Sequence, residues 1–394
     1  MINNIKNNIN NTKNCNQNYN FKDYLIIVYS AGDNDLKNDL FNDLDEIEEV
    51  GSNENIDIVA IADQGKNGTQ WEGCRILHLQ KDNEKGKINS PVIKEYKKVD
   101  MADPKFLEES LTEVIEKFPA KNIMLIISDH GSGWEGAIVD NDNTNFLDGF
   151  KMSLPKLSNA LKNVIKNTNK KIDIITFDAC LMGSSEVMIE LKDTTNYIVA
   201  SQQLVGAEGL PYKKIFTNFY PQLINIISNT ITQKCHKKEN INLNEEIVKN
   251  IIKNSQNFPS IRTLSAINLN KTDIFIKKID NLANAILKTP QNYQTIKEIS
   301  KKVQKFNQQG NRDLIHFLTL LIENPEIDNN IKKLSSDLKE FLEKEYIISS
   351  YHNDEFPNAY GLSIILNKLL SYKYKDLEIS KSTSYDEMLE KIFG

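Results

Sequence analysis

Cysteine is scarce and scattered. Four occur in 394 residues, Cys15, Cys74, Cys180 and Cys235, and no two form a C-x-x-C pair. That spacing excludes a disulfide framework and a zinc site and favours a reducing compartment. No apolar run approaches the roughly 18 residues of a membrane span. No long basic run stands out against a net charge of -6, which argues against nucleic acid as a partner. There is no internal repeat and no glycine-rich phosphate loop. Residues 1–20 are dominated by asparagine, lack the apolar core of a signal peptide and read as a disordered tail. Without a leader the chain is expected to be cytoplasmic, with leaderless export left open. No membrane partner is expected, and the protein reads as a monomer.

What remains is ordinary soluble material. Hydrophobic residues make up 40% and charged residues 26%, enough for a real core. The length fits two domains, or one with a large elaboration. Short β-branched apolar runs at 25–28, 56–61, 123–127, 172–177 and 197–200 alternate with helical periodicities at 36–50, 106–118, 153–167 and 184–191. This pattern predicts an α/β fold with a mostly parallel central sheet and helices on both faces. Beyond 212 the character changes. Helical stripes at 245–254, 272–287, 313–322 and 331–346 are interrupted by strand-like pieces at 262–269 and 360–366, expected to extend the sheet. Residues 232–240 are the best linker candidate. The expected organisation is a tail (1–20), a catalytic domain (21–225) and a helix-rich C-terminal part (226–394) contributing one or two strands.

In open parallel sheets ligands bind outside the carboxyl ends of the strands. Five loops should meet there, carrying Asp33/Asp35, Asp63, His130, Asp178/Cys180 and Gln202/Glu208. Residues 172–183, IDIITFDACLMG, put Cys180 at a strand end just before a helix, where the helix dipole would favour thiolate. Residues 123–134, IMLIISDHGSGW, put His130 at another strand end. A lone strand cysteine is usually a small buried hydrophobe. Two strand ends offering a thiol and an imidazole are the parts of an activated nucleophile. By contrast Cys74 and His78 lie on one strand face, Cys235-His236 in a Lys-rich loop, His316 in a helix, His352 in a loop and Cys15 in the tail. All read as structural or solvated.

The segments SDHGSGW (128–134) and FDACLMG (177–183) resemble the two catalytic motifs of clostripain-type cysteine peptidases, a family of the caspase-like clan. The 50-residue separation of His130 and Cys180 matches the histidine–cysteine spacing given for caspases. YSAGDNDL (29–36), ASQQ (200–203), GLPY (209–212) and YGLSI (360–364) agree in order with further segments of that family. The resemblance implies a caspase-like α/β/α sandwich and a cysteine endopeptidase. Cys180 would be the nucleophile and His130 the general acid/base, with no third acid required. The oxyanion would be held by the backbone N–H groups of Gly131 and Cys180, and Asp129 would be structural.

The resemblance also puts Asp178 in the S1 pocket, reading Arg or Lys at P1 of a protein or peptide substrate. The alternative is a carboxylate that caps a neighbouring loop or pairs with an internal cation. An acid-specific pocket would need arginine, and Arg75 is the only one before Arg262. Relatives are often zymogens cut between the histidine and cysteine segments. Lys151, after an Asp/Gly-rich loop, is the candidate self-cleavage site, expected to be exposed. Some relatives require calcium. Asp33-Asn-Asp35 and Asp140-Asn-Asp142 are oxygen-rich, but neither fits an EF-hand, so no metal site is assigned. The rival readings are a non-catalytic caspase-like regulatory or binding module, and a transferase or amidase using the same dyad.

Overall fold

In the computed structural model, residues 21–143, 151–219, 221, 242–307, 310–368 and 372–394 are described. The tail, Cys15, Cys235, His236 and the 232–240 linker candidate lie outside them. The main-sheet strands are β1 (Lys22–Gly32), β2 (Ile56–Gln64), β3 (Gly73–His78), β4 (Val92–Tyr96), β5 (Ala120–Ser128), β6 (Ile172–Asp178), β7 (Thr195–Ala200), β8 (Thr263–Asn268) and β9 (Ile347–His352). They form a nine-stranded sheet in the order β9-β8-β7-β6-β5-β1-β2-β3-β4. The five neighbours β7-β6-β5-β1-β2 are mutually parallel. Antiparallel pairs close both edges. The chain therefore has the α/β caspase-like architecture expected.

Period-two alternation along β1 builds two cores. Leu25, Ile27 and Tyr29 pack to one side with Leu107 and Leu111 of α2 (Pro104–Lys117) and Leu157 and Leu161 of α3 (Leu154–Thr168). Tyr24, Ile26 and Val28 pack to the other with Phe41 and Leu44 of α1 (Lys37–Glu48) and Ile247 and Ile251 of α5 (Leu243–Ser255), α4 being Ser185–Glu190. Because both faces are covered, the central strands read as continuous apolar runs. Every residue of β2 is buried.

The C-terminal part supplies helices Thr272–Leu287, Leu314–Glu323, Asn329–Phe341 and Tyr385–Phe393 to the α2/α3 side of the sheet. It also supplies β8 and β9. The expectation for 360–366 is corrected. Ser363–Ile365 joins a separate three-stranded sheet with Lys305–Phe306 and Asn311–Asp313. The second added strand is β9, which follows directly on a helical run with no glycine or proline between. Ser363 instead reaches back to the cysteine turn, donating its N–H to Gly183 O at 2.9 Å.

Candidate active site

The four adjacent parallel strands β7, β6, β5 and β1 deliver their following loops to one edge, as the strand-end argument requires. A cleft of about 250 Å³ opens there. Its walls are Leu36, Leu40 and Asp43 at the start of α1, His130 after β5, Asp178 and Cys180 at the end of β6, and the 205–209 loop after β7. The sheet thus brings His130, Asp178 and Cys180 to one cavity. Gly131 belongs to the same site, because a Cβ on it would lie 2.3 Å from Cys180 O and 3.0 Å from Cys180 N. Only glycine lets the histidine loop pass so close to the cysteine backbone. Among the described residues no acceptor takes the backbone N–H of Gly131 or of Cys180.

The cysteine turn is clamped from several sides. Leu181 N–H donates to Gln203 O at 3.2 Å and Gly183 N–H to Ser201 O at 2.7 Å. Leu181 adopts a left-handed φ of 67°, a conformation that costs about 1–3 kcal/mol in a non-glycine residue and persists only when the surroundings over-determine it. Its side chain fills a small apolar cluster with Phe306 and Ala359. Behind the turn, buried Asp313 accepts from Gln202 Nε2 at 3.0 Å, Tyr360 N–H at 2.7 Å and His316 N–H at 2.8 Å. Glu186 Oε1 accepts from Ile365 N–H at 3.0 Å and Tyr374 OH at 2.9 Å. The C-terminal part is therefore bound into the support of the cysteine turn.

The surroundings of Cys180 work against the thiolate expected from a helix N-terminus. Burial pushes the Cys180 thiol above its ordinary range. The Val205 N–H, 3.4 Å from Sγ, partly offsets this, and the nearby Asp178 charge adds to the rise. Sγ also faces Val205 O at 3.7 Å. The helix does not follow the cysteine at once: α4 begins at Ser185, and its Val187 N–H is taken by Ser184 Oγ at 3.4 Å.

His130 Nε2 lies 2.8 Å from Asp35 Oδ1. A carboxylate can only accept, so Nε2 carries the proton and Nδ1 is left as the acceptor a general base needs. The hydrogen bond to His130 holds the Asp35 carboxyl below its usual range. Asp35 had no assigned role in the sequence reading; its signal was its place in the loop after β1. Asp129 is buried and structural. Its Oδ1 accepts from Asn34 Nδ2 at 2.8 Å and its Oδ2 from Val139 N–H at 2.5 Å, which ties the histidine loop to the loop after β1.

Asp178 is 5% exposed. Its Oδ2 accepts from Leu210 N–H at 2.9 Å and Tyr212 OH at 2.7 Å. Burial nevertheless raises its carboxyl to about 6, and among the described residues no lysine or arginine acts on it. Lys151 is not the exposed residue expected. It lies in a short strand paired with 137–139, its side chain is 17% exposed, and Nζ bonds Glu135 Oε2 at 2.8 Å. The residues just before it, 144–150, lie outside those described.

Of the remaining loop residues, Gln202 is buried in the Asp313 network and Glu208 is exposed. Cys74 is buried, His78 bonds Asp57 at 3.0 Å, and His316 Nδ1 accepts from Gln304 N–H at 3.0 Å, all structural. His352 closes β9 and its Nδ1 lies 3.1 Å from Asn353 O.

The two oxygen-rich segments do meet. Asp33, Asp140 and Asp142 place carboxylate oxygens within 4.8 Å of one another. Nearby Asp63 is buried with Oδ1 unpartnered, and burial with the Asp140 and Asp33 charges raises it to about 7. An all-carboxylate donor set with an orphaned oxygen beside it fits a hard cation such as calcium.

Comparison with known proteins agrees with this geometry. The family model described as the clostripain family, peptidase C11, matches residues 28–391. Clostripain of Hathewaya histolytica is 24% identical over 238 residues, covering 52% of this chain. The chain spans 43% of that relative's length. An inactive zymogen C11 protease from Parabacteroides distasonis superposes with a TM-score of 0.64 at 19% identity, over 92% of this chain and 98% of the other. A secreted C11 cysteine protease from Bacteroides thetaiotaomicron, in complex with an irreversible peptide inhibitor, superposes with a TM-score of 0.60 at 17% identity, over 94% and 99%. These neighbours overturn the cytoplasmic location, since secreted C11 proteases are among them. Among the described residues no helix is long and apolar enough to cross a membrane.

Two outcomes follow. Asp178 and Asp313 have folded values raised by burial to about 6 and about 7, so the folded state binds their protons more tightly than the unfolded one. Their contribution is full below the unfolded carboxyl range and is lost as pH rises through the folded values, so Tm should fall between about pH 4 and about pH 7 and level off above. A Tm that rises across that window contradicts the assignment. Second, Gly131→Ala should lower kcat/KM on a cleaved peptide by about 100-fold or more, through displacement of the histidine loop from the cysteine. Activity within tenfold of wild type would mean that this contact does not set the geometry.

Proposed function

The chain belongs to the clostripain family of cysteine-type endopeptidases, and we propose that it hydrolyses peptide bonds after lysine or arginine, with Cys180 as nucleophile and His130 as general acid/base. The observation that carries the P1 assignment is Asp178. It is a carboxylate buried without a cation among the described residues, in the same cleft as His130 and Cys180. Burying a charge unpaired is costly, and a basic side chain entering the cleft would offset that cost with charge-assisted hydrogen bonds.

In this mechanism His130 Nδ1 takes the Sγ proton as the sulfur attacks the scissile carbonyl. The backbone N–H groups of Gly131 and Cys180 donate to the oxyanion, each worth about 2.7–4 kcal/mol in comparable sites. The imidazolium then gives its proton to the leaving amine, and a thioester remains. Water, activated by the same imidazole, releases the acid and the thiol. Asp35 holds the ring in the tautomer this cycle requires. The unit formed by residues 21–225 and 226–394 acts as a monomer.

The chain is made as a zymogen and matures by cleavage between the histidine and cysteine segments, with Lys151 the candidate site. Cutting there requires the 151–152 pairing and the Glu135 ion pair to open. Calcium would be held by Asp33, Asp140 and Asp142, and when bound supplies neutralising charge beside the loop that carries Asp35.

The test is a set of fluorogenic peptides differing only at P1 (Arg, Lys, Asp, Leu), with and without calcium. Cleavage after Arg and Lys is expected, abolished in Cys180→Ala. Asp178→Asn should lower kcat/KM on those peptides by about 10–100-fold, the loss of a charge-assisted contact of about 1.5–3 kcal/mol. Preference for Asp or Leu would refute the pocket. No cleavage by folded protein, even after nicking near Lys151, would refute the activity.

A further inference from the structure

Asp178 has company in the cleft. Asp43 lies on α1, on the wall facing the 205–209 loop, and its side chain points to the same cavity. It is 7% exposed, and its Oδ2 has no hydrogen-bond partner among the described residues. A Cβ placed on Gly209 would meet Asp178 Oδ2 at 2.5 Å and Asp43 Oδ2 at 3.2 Å. The two carboxylate oxygens therefore both lie against Gly209, at a φ of 57°, where any side chain would press on them.

Their hydrogen-bonding states differ. Asp178 Oδ2 already receives Leu210 N–H and Tyr212 OH. Asp43 receives nothing at Oδ2, and its neighbours are acids: burial first, then the Asp178, Glu46 and Asp39 charges, hold its carboxyl well above the usual range. No cation of the described residues acts on it. A structural aspartate on the inner face of a helix would be satisfied by a backbone N–H, a hydroxyl or a lysine. An orphaned acceptor in a cleft, facing a second carboxylate, is instead the arrangement that a multi-donor cation from outside completes.

We propose that Asp43 is a second specificity-determining residue of the S1 pocket, accepting hydrogen bonds from the ammonium or guanidinium of the P1 side chain alongside Asp178. This rests on the basic-P1 reading above. Asp178 comes from the nucleophile's own strand and Asp43 from the helix after β1, so the P1 cation ties two separate elements together across the cleft.

The test uses the full chain and matched fluorogenic peptides with Arg, Lys or Leu at P1. Asp43→Asn should lower kcat/KM for the Arg and Lys peptides by at least about tenfold, mostly through KM, as loss of a charged acceptor does. Asp43→Glu should recover part of the loss. Alkylation of Cys180 by iodoacetamide should keep its wild-type rate, and Tm should not fall, because the substitution replaces a buried acid whose Oδ2 has no partner to lose. If Asp43→Asn keeps kcat/KM for basic peptides within twofold, the inference fails and Asp178 alone reads P1. If Tm, alkylation and all three peptides decline together, Asp43 is structural and the inference fails. If the wild type itself prefers Leu, the basic-P1 reading has failed, a result distinct from either.

Discussion

A carboxylate buried at the end of β6, with no lysine or arginine among the described residues to meet it, is the constraint on which the rest of the site depends. Asp178 is two residues from Cys180, and everything around it limits its desolvation without neutralising it. Leu210 N–H and Tyr212 OH each donate to it, and its Oδ2 lies against Gly209. Two hydrogen bonds of ordinary strength do not replace the hydration of a carboxylate. The carboxyl is consequently held at about 6, within reach of either state near neutral pH. A carboxylate held this way is least stable when ionised and unpaired, and on the function proposed above a basic P1 side chain relieves it.

The same strand end has to present a sulfur, and here the structure chooses rigidity over pre-ionisation. The turn after Cys180 carries a left-handed leucine and is held by backbone bonds to Ser201, Gln203 and Ser363. Asp313 and Glu186 anchor that support to the C-terminal part. Burial pushes the thiol above its ordinary range beneath the backbone of Val205, and His130, in the same cleft, is held through Nε2 by Asp35. A thiol raised in this way is less open to adventitious oxidation, which follows thiolate character and exposure.

Much of this was legible in the chain. The parallel strands announce themselves as apolar runs because both faces are buried, and the strand-end rule then collects His130, Asp178 and Cys180 without further information. Asp43 was hidden in plain pattern. It lies between Leu40 and Leu44 on the apolar stripe of α1, and an acid on an inward stripe is a signal that counting only the leucines overlooks. Asp35 could not be assigned because its contact with His130 joins two loops 95 residues apart. Strand β9 carries no signal of its own: it begins directly after the helical stripe that ends at 346, and its half-exposed edge position removes the alternation that marks a strand. Lys151 misled because a polar loop precedes it, whereas Glu135 and the partner strand that hold it come from the far side of that loop.

The most direct test of the central claim is calorimetric. A peptide inhibitor with lysine at P1 and its norleucine counterpart would be titrated into Cys180→Ala protein near pH 6, in two buffers of different ionisation enthalpy. If a buried carboxyl awaits a cation, the lysine peptide binds more tightly and releases protons to the buffer, while the norleucine peptide releases none. Equal affinities with no proton release would contradict the account, leaving Asp178 a structural acid and the cleft's preference to be sought elsewhere.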